Sequence, residues 1–531
     1  MRAFQLRTII AGLQESGRRS ADRAGFLVAS AMCLTIAGTL FGTPAIALSS
    51  MAILCIVIVS MATSRPVEAA TVLFAYLAME GMYKYLTHFS PIVYVARPAL
   101  IVILFFLHFR NSGPKFSLTA MPPMTVPLCV FLMLAMVCIF HPYGNGVISG
   151  TATFLMFYGT PIALYFVGYR CVTLGRQVLL FAVVLLAICT VVSAFTALQF
   201  TKGMEWTVAH LPGYDSMPIE AAGWFKIDDA GEVTTGFRPA STTGAGGGGG
   251  GWSGLGVITA VGLLRLSRSH GRRLLLGICL GANGIGLLLS GVRVHSFVAA
   301  FGVIVFFCAS AQTAEDFSKA LRLSIAVVLL SAMAYWGALQ LSAGTIAARY
   351  SDTFVNPVGR YSKERGNNLG ALADIALKYP FGVGYQMGMG YKKTEAGDMG
   401  KSAPSMLNRE TQFAALVGDV GLPGLLLMTP IFFVCMVHGW RACRGLRDPD
   451  LRILGSMLLA SIAGYLPSWF GGPAIQGNVH FWFVAGILIA LPRVELRQRA
   501  LIARLIASSS PATISQPAEF SPASAVRETT E

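Results

Sequence analysis

The sequence predicts an all-α, polytopic membrane protein with about fourteen transmembrane helices and two long loops on its outer face. Two figures of composition and one charge pattern carry that prediction. Of 531 residues, 54% are hydrophobic and 12% charged, where a soluble domain carries roughly 25% charged residues; mean hydropathy is +0.63. A chain this long cannot enclose so much apolar surface in one core, so lipid is the remaining solvent. The apolar runs are continuous rather than alternating, which favours helices over a barrel.

A hydrocarbon core of about 30 Å takes roughly 20 helical residues. Runs of that kind fall near 24–42, 45–63, 69–88, 92–109, 123–140, 151–168, 177–199, 252–266, 274–290, 295–312, 323–343, 411–437, 453–470 and 479–492. Several are short or interrupted by Gly and Pro. The first 23 residues carry five arginines, no small-residue cleavage site follows, and a span begins at once, so this start reads as retained rather than as a signal peptide.

The net charge of +15 invites a nucleic-acid reading, which its distribution opposes. With the N-terminus inside, Arg18, Arg19, Arg23, Arg265, Arg268, Arg272, Arg273, Arg441, Arg444, Arg447, Arg493, Arg497 and Arg499 all fall on the inner face. The short outer connections 43–44, 89–91, 141–150 and 471–478 hold no Lys or Arg. This is the positive-inside bias, and it orients the chain with both termini cytoplasmic. The ten cysteines lie in spans or inner turns, so neither disulfides nor a thiolate metal site is expected.

The organisation that follows is an N-terminal stretch (1–23), N-terminal helices (24–199), a first outer loop (200–251), central helices (252–343), a second outer loop (344–410), C-terminal helices (411–492) and a tail (493–531) that is Ser/Pro/Ala-rich and disordered towards its end. The first loop has three basic and six acidic residues, the second nine basic and six acidic. Loops this long in a compact protein usually carry function. Inside the spans, Glu80 and Lys84 stand four apart on one helix face, and Arg97 precedes Pro98. They read either as an ion pair locking two helices or as a holder for an anionic head group. The run Gly246 to Gly251 beside Trp252 fits a phosphate cradle, a hinge or close helix packing equally well. No Walker sequence, zinc spacing or nucleophile elbow occurs.

The strongest motif is in the second loop and the helix after it. Arg365 precedes an amphipathic stretch ending in Pro380-Phe381-Gly382-Val383-Gly384-Tyr385; Glu410-Thr411 follows, then Gly421-Leu422-Pro423-Gly424. A further element, Ser290-Gly291-Val292-Arg293, ends an earlier span on the outer side. In order and spacing these resemble the O-antigen ligase and O-antigen or exopolysaccharide polymerase superfamily of bacterial inner-membrane glycosyltransferases, over roughly residues 200–470. In that family an Arg stands ahead of a helix ending in Pro-x-x-Gly-x-Gly, a His-Asn pair precedes Gly-x-x-Gly, and a Ser-Arg pair sits at an outer helix end. Here Glu410-Thr411 replaces His-Asn, and residues 344–437 contain no His.

The resemblance implies a metal-independent, cofactor-free transfer on the periplasmic face, with undecaprenyl diphosphate-linked oligosaccharide as donor. Glu410 becomes the candidate general base, with Asp374 and His295 as alternatives. Arg293 and Arg365, helped by Arg238, Arg360 and Arg409, are candidates to hold the diphosphate, because guanidinium groups clamp phosphate oxygens and offset charge on the leaving group. Loss of the His-Asn pair tilts the expectation towards a polymerase, with an acceptor glycan and a chain-length regulator as partners. A ligase using lipid A core, a transporter for the same lipid and a non-catalytic subunit are the rival readings. Membrane lipid is an expected partner and nucleic acid is not.

Overall fold

Backbone that enters lipid must satisfy its own hydrogen bonds, and in the computed structural model the apolar runs become sixteen α-helices among the described residues. These residues are 2–42, 44–111, 121–144, 146–211, 213–214, 223–227, 233–243, 247–342, 350, 359, 367–385, 411–472 and 475–509. In chain order the helices are α1 (Arg2–Leu40), α2 (Pro44–Met61), α3 (Pro66–Leu86), α4 (Pro91–Asn111), α5 (Thr125–Val137), α6 (Val147–Phe154), α7 (Thr160–Cys171) and α8 (Gly175–His210). After a hairpin come α9 (Gly249–Leu266), α10 (His270–Leu289), α11 (Arg293–Ser310), α12 (Ala314–Leu341), α13 (Asn367–Lys378), α14 (Gln412–Gly445), α15 (Pro449–Ala463) and α16 (Val479–Ser509). Local chemistry sets many of the starts. Proline, whose missing N–H costs nothing in a first turn, opens α2, α3, α4 and α15. The side chains of Ser269, Thr313, Thr411 and Asp448 cap α10, α12, α14 and α15.

The expected fourteen spans are corrected by the structure. Among the described residues nine helical segments are long and apolar enough to cross a membrane: Arg19–Leu40, Pro91–Arg110, Val147–Cys171, Gly175–His210, His270–Leu289, Arg293–Ser310, Gln412–Gly445, Pro449–Phe470 and Val479–Arg504. Three further apolar segments, Ala45–Met61, Thr125–Phe140 and Val327–Leu341, are shorter. The remaining two expected spans became α3 and α9, which are buried along nearly their whole length. Their neighbours are protein rather than lipid, so Glu80 and Lys84 in α3 and the glycines of α9 are accommodated without the hydropathy a lipid-facing helix needs. The chain is a multi-pass membrane protein, and its described residues are almost entirely helical.

One departure from an all-α fold is a two-stranded antiparallel hairpin, β1 (Gly223–Ile227) with β2 (Val233–Phe237), in which Gly223 pairs with Phe237 and Ile227 with Val233. It lies in the expected first outer loop. That loop begins later than expected, because α8 runs on to His210 through a kink at Gly203 (φ 84°). In the centre, α8, α9 and α10 are tied by a buried polar knot. Ser193 Oγ lies 2.7 Å from Ser253 Oγ and donates to Asn283 Oδ1 (2.9 Å), while Asn283 Nδ2 donates to Thr190 Oγ1 (3.0 Å). Hydrogen bonds of this kind are the usual glue where lipid provides no hydrophobic drive between helices.

Candidate functional site

The motif that stood out in the sequence is a structural joint. α13 ends at Lys378, and the following turn packs into a break in α14. Gly421, at φ 79° and ψ −173°, interrupts that helix. The break frees backbone groups, and the turn takes them up. Val383 N donates to Gly418 O (2.8 Å), and Leu422 N donates to Pro380 O (2.8 Å). Gly382 also has positive φ (81°), and a Cβ there would lie 2.8 Å from Gly421 N. Two glycines in the left-handed region therefore face each other at backbone distance, a geometry that residues with a Cβ reach only at a cost. The Pro-Phe-Gly-Val-Gly turn and the Gly-Leu-Pro-Gly segment, 36 residues apart and described separately above, form one unit.

Beside the joint is an acid that the sequence reading passed over. Asp419, two residues before the helix break, is 4% exposed and its Oδ2 accepts a hydrogen bond from Tyr158 Oη (2.9 Å). Tyr158 lies in a single π-turn, Leu155–Gly159, between α6 and α7, an insertion that is frequent at functional positions. Gln476 Nε2 donates to the same tyrosine oxygen. Tyr385, directly after the turn, is buried, stacks obliquely on Tyr158 (5.9 Å between centroids) and donates to Ala135 O (2.6 Å). Gln412, in the first turn of α14, accepts from Ile475 N (2.9 Å).

The 475–478 connection leads from this acid to the charged group in α3 and α4. Arg97 Nη2 donates to Gly477 O and to Met156 O (3.4 Å). Its Nη1 lies 3.8 Å from Glu80 Oε2, and Lys84 Nζ lies 2.7 Å from Glu80 Oε1. Lys84 also sits 4.5 Å over the Tyr94 ring. Arg97 thus bridges α3, the π-turn and the 475–478 connection, which favours the helix-locking reading of this cluster. Two cations and two carboxylates are strung together through buried groups, a balance that makes their burial affordable.

Glu80 is positioned by a non-helical segment that enters the bundle. Residues 239–242, after β2, are all buried. Thr242 brackets the helical turn that carries Glu80: its hydroxyl donates to Ala78 O, and its carbonyl accepts from Met82 N (3.1 Å). Ser241 adopts φ 56°, held by Gln199 Oε1 on its N–H (2.6 Å) and by its own hydroxyl donating to Val192 O (2.9 Å). A serine kept in the left-handed region by two buried hydrogen bonds is local strain that the surroundings over-determine. The glycine run that follows is explained by packing. A Cβ on Gly250 would meet Ser290 Oγ and lie 2.6 Å from His295 Nδ1, and one on Gly249 would lie 2.8 Å from Ser241 Cβ.

The candidates from the sequence separate accordingly. Arg293 opens α11, half-buried, after a turn in which Gly291 has φ 68° and Val292 N bonds Ser290 Oγ (3.4 Å). His295 lies two residues further along the same helix, against Gly250. Arg238 is half-buried at the end of β2, where its carbonyl accepts from Tyr214 Oη (3.2 Å). Asp374 is exposed on α13. Arg360, Arg365, Arg409 and Glu410 lie outside the described residues. Thr411, next to Glu410 in the chain, is buried and caps α14 by accepting from Ala414 N (3.1 Å).

A histidine from another part of the chain lies against the turn. His141, just after α5, packs its Cβ against Gly384 of the turn, and Tyr143 faces Tyr379 at 6.0 Å. Burial pushes the His141 imidazole below its ordinary value, so at neutral pH it is an uncharged group able to accept a proton. Nothing in its local sequence marks it, since the contact joins residues far apart in the chain. Comparison of the chain with protein-family models and with curated proteins finds no match.

Proposed function

We propose that the protein transfers a lipid diphosphate-linked glycan at the outer face of the bacterial inner membrane, with both termini in the cytoplasm, and that it polymerises repeat units of O-antigen or exopolysaccharide. The observation that carries this reading is the joint between the 380–384 turn and the broken α14. Two of the segments on which the resemblance to the ligase and polymerase superfamily rests pack as one unit, next to a buried carboxylate and a neutral histidine.

In this reading the donor reaches the site laterally from the bilayer, and Arg293 and Arg365 hold its diphosphate, assisted by Arg238, Arg360 and Arg409. Glu410 takes the proton of the acceptor hydroxyl. The hydroxyl oxygen bonds to the anomeric carbon as the bond from that carbon to the diphosphate oxygen breaks, so the configuration inverts. The electron pair stays on the leaving diphosphate, where guanidinium groups stabilise it most in the transition state. No metal is required for such a displacement.

The test places Glu410→Gln and Arg365→Ala in a deletion strain and reads surface polysaccharide on a gel at matched protein level. Loss of long chains with single repeat units on lipid A core is the expected result. Long polymer left on the undecaprenyl carrier would make the chain a ligase. Normal long chains in both variants would overturn the mechanism.

A further inference from the structure

A cleft of about 800 Å3 opens between α1, α8 and α10, at the end of the bundle that carries the α9–α10 turn. It lies on a different set of helices from the proposed transfer site and owes nothing to that reading. Its walls are apolar, with Phe26 and Ala29 of α1, Val183 and Leu186 of α8, and Leu275 and Leu276 of α10. Its deepest polar groups make no demand on a ligand. Thr190 donates to Leu186 O (2.8 Å) and accepts from Asn283, and the Cys279 carbonyl also accepts from Asn283 (2.8 Å). From the mouth to Cys279 the cleft follows α10 for about 14 Å at 1.5 Å per residue, enough for a good part of an acyl chain.

The mouth has the opposite character. Arg268 and Arg272 line it, and it lies at the N-terminal end of α10, where the helix dipole and first-turn N–H groups favour an anion. Ser269 takes up the Arg272 N–H with its side chain and the Arg273 N–H with its carbonyl, which leaves the N–H groups of His270 and Gly271 towards the mouth. Arg272 pairs with Asp22 (2.9 Å), which is 48% exposed, whereas Arg268 makes no ion pair among the described residues. A basic rim above an apolar slot of this depth matches a phosphodiester carrying a hydrocarbon tail. We propose that this cleft is a selective site for an anionic phospholipid, with its phosphate between Arg268 and the start of α10 and one acyl chain along α8 and α10.

The test follows tryptophan-fluorescence melting of the purified full-length protein in detergent while dioleoyl phosphatidylglycerol, dioleoyl phosphatidylcholine or inorganic phosphate is titrated. Phosphatidylglycerol should raise the midpoint saturably, phosphatidylcholine less, and inorganic phosphate not at all. Arg268→Gln should weaken half-saturation by phosphatidylglycerol about fivefold, the effect of one basic residue at an anionic surface. Asp22→Asn breaks the same ion pair as Arg272→Gln but should strengthen the phosphatidylglycerol effect, where Arg272→Gln weakens it. Ala187→Phe, which fills the slot, should remove the response to both lipids. Equal responses to the two lipids, or an undiminished preference in Arg268→Gln, would overturn the proposal. Native mass spectrometry of the wild type and of the variants that stay folded, counting retained phosphatidylglycerol against phosphatidylcholine, should show the same order, and equal retention of the two lipids by the wild type would overturn the proposal.

Discussion

At the scale of the residue, the joint stands on two glycines and the buried charges on each other's presence. In Gly421→Ala the new Cβ would strike the Phe381 backbone, and the residue would have to hold φ 79°, so the joint must open. The expected outcome is a loss of stability of at least ~2 kcal/mol, seen as aggregation in size-exclusion chromatography. Gly445→Ala, with open space around it, should elute like the wild type. For Arg97, removing one partner of a buried pair is worse than removing both. Arg97→Met alone should destabilise by about 3 kcal/mol, and adding Glu80→Gln should restore part of that in thermal melts. Asp419→Asn keeps the volume and tests whether the carboxylate does more than accept from Tyr158. If it shapes the transfer site, long-chain polymer falls while the melting temperature stays close to wild type.

At the scale of the element, the helices were readable because lipid imposes both length and apolarity on anything that faces it. That same logic overcounted. α3 and α9 face protein, and a run of residues does not announce which solvent it meets. The charges in α3 were legible as a cluster needing a partner, and Arg97 was rightly grouped with them. The carboxylate of Asp419 is an equally readable signal in an apolar run; its partner Tyr158, 261 residues away, is not. The hairpin β1–β2 escaped notice because its strands are five residues each and lie in a stretch whose charges and glycines read as loop. The functional motif was legible as two separated segments, whereas their docking depends on the positive φ of Gly382 and Gly421, which no spacing encodes.

At the scale of the whole molecule, one charged tie joins elements far apart in sequence. Asp316, at the start of α12, lies 3.2 Å from Arg265 at the end of α9 and 3.4 Å from Arg452 in α15. Burial raises the affinity of this carboxyl for a proton, but the hydrogen bonds from Thr313 and Gln312 and the two guanidinium groups outweigh it and hold the group below its ordinary value of 3.8. A depressed carboxylate stabilises the fold fully above its unfolded value and loses that contribution as pH falls through the folded one. The melting temperature should therefore drop on acidification below about pH 4, and Asp316→Asn should be less stable at neutral pH with a shallower acid dependence.

The buried segment at Thr242 also sets an order of events during synthesis. Its contacts with Ala78 and Met82 reach back 164 residues in the case of Ala78, across five intervening helices and the hairpin. The first eight helices are therefore synthesised before the residue that completes the packing around Glu80. A chain stopped at 237 should be cleared by membrane proteases faster than one stopped at 267, as a pulse-chase of the two fragments would show. For this protein the N-terminal helices are not a finished module that waits for the rest, and a split between the two halves succeeds only if the cut falls after the segment has returned.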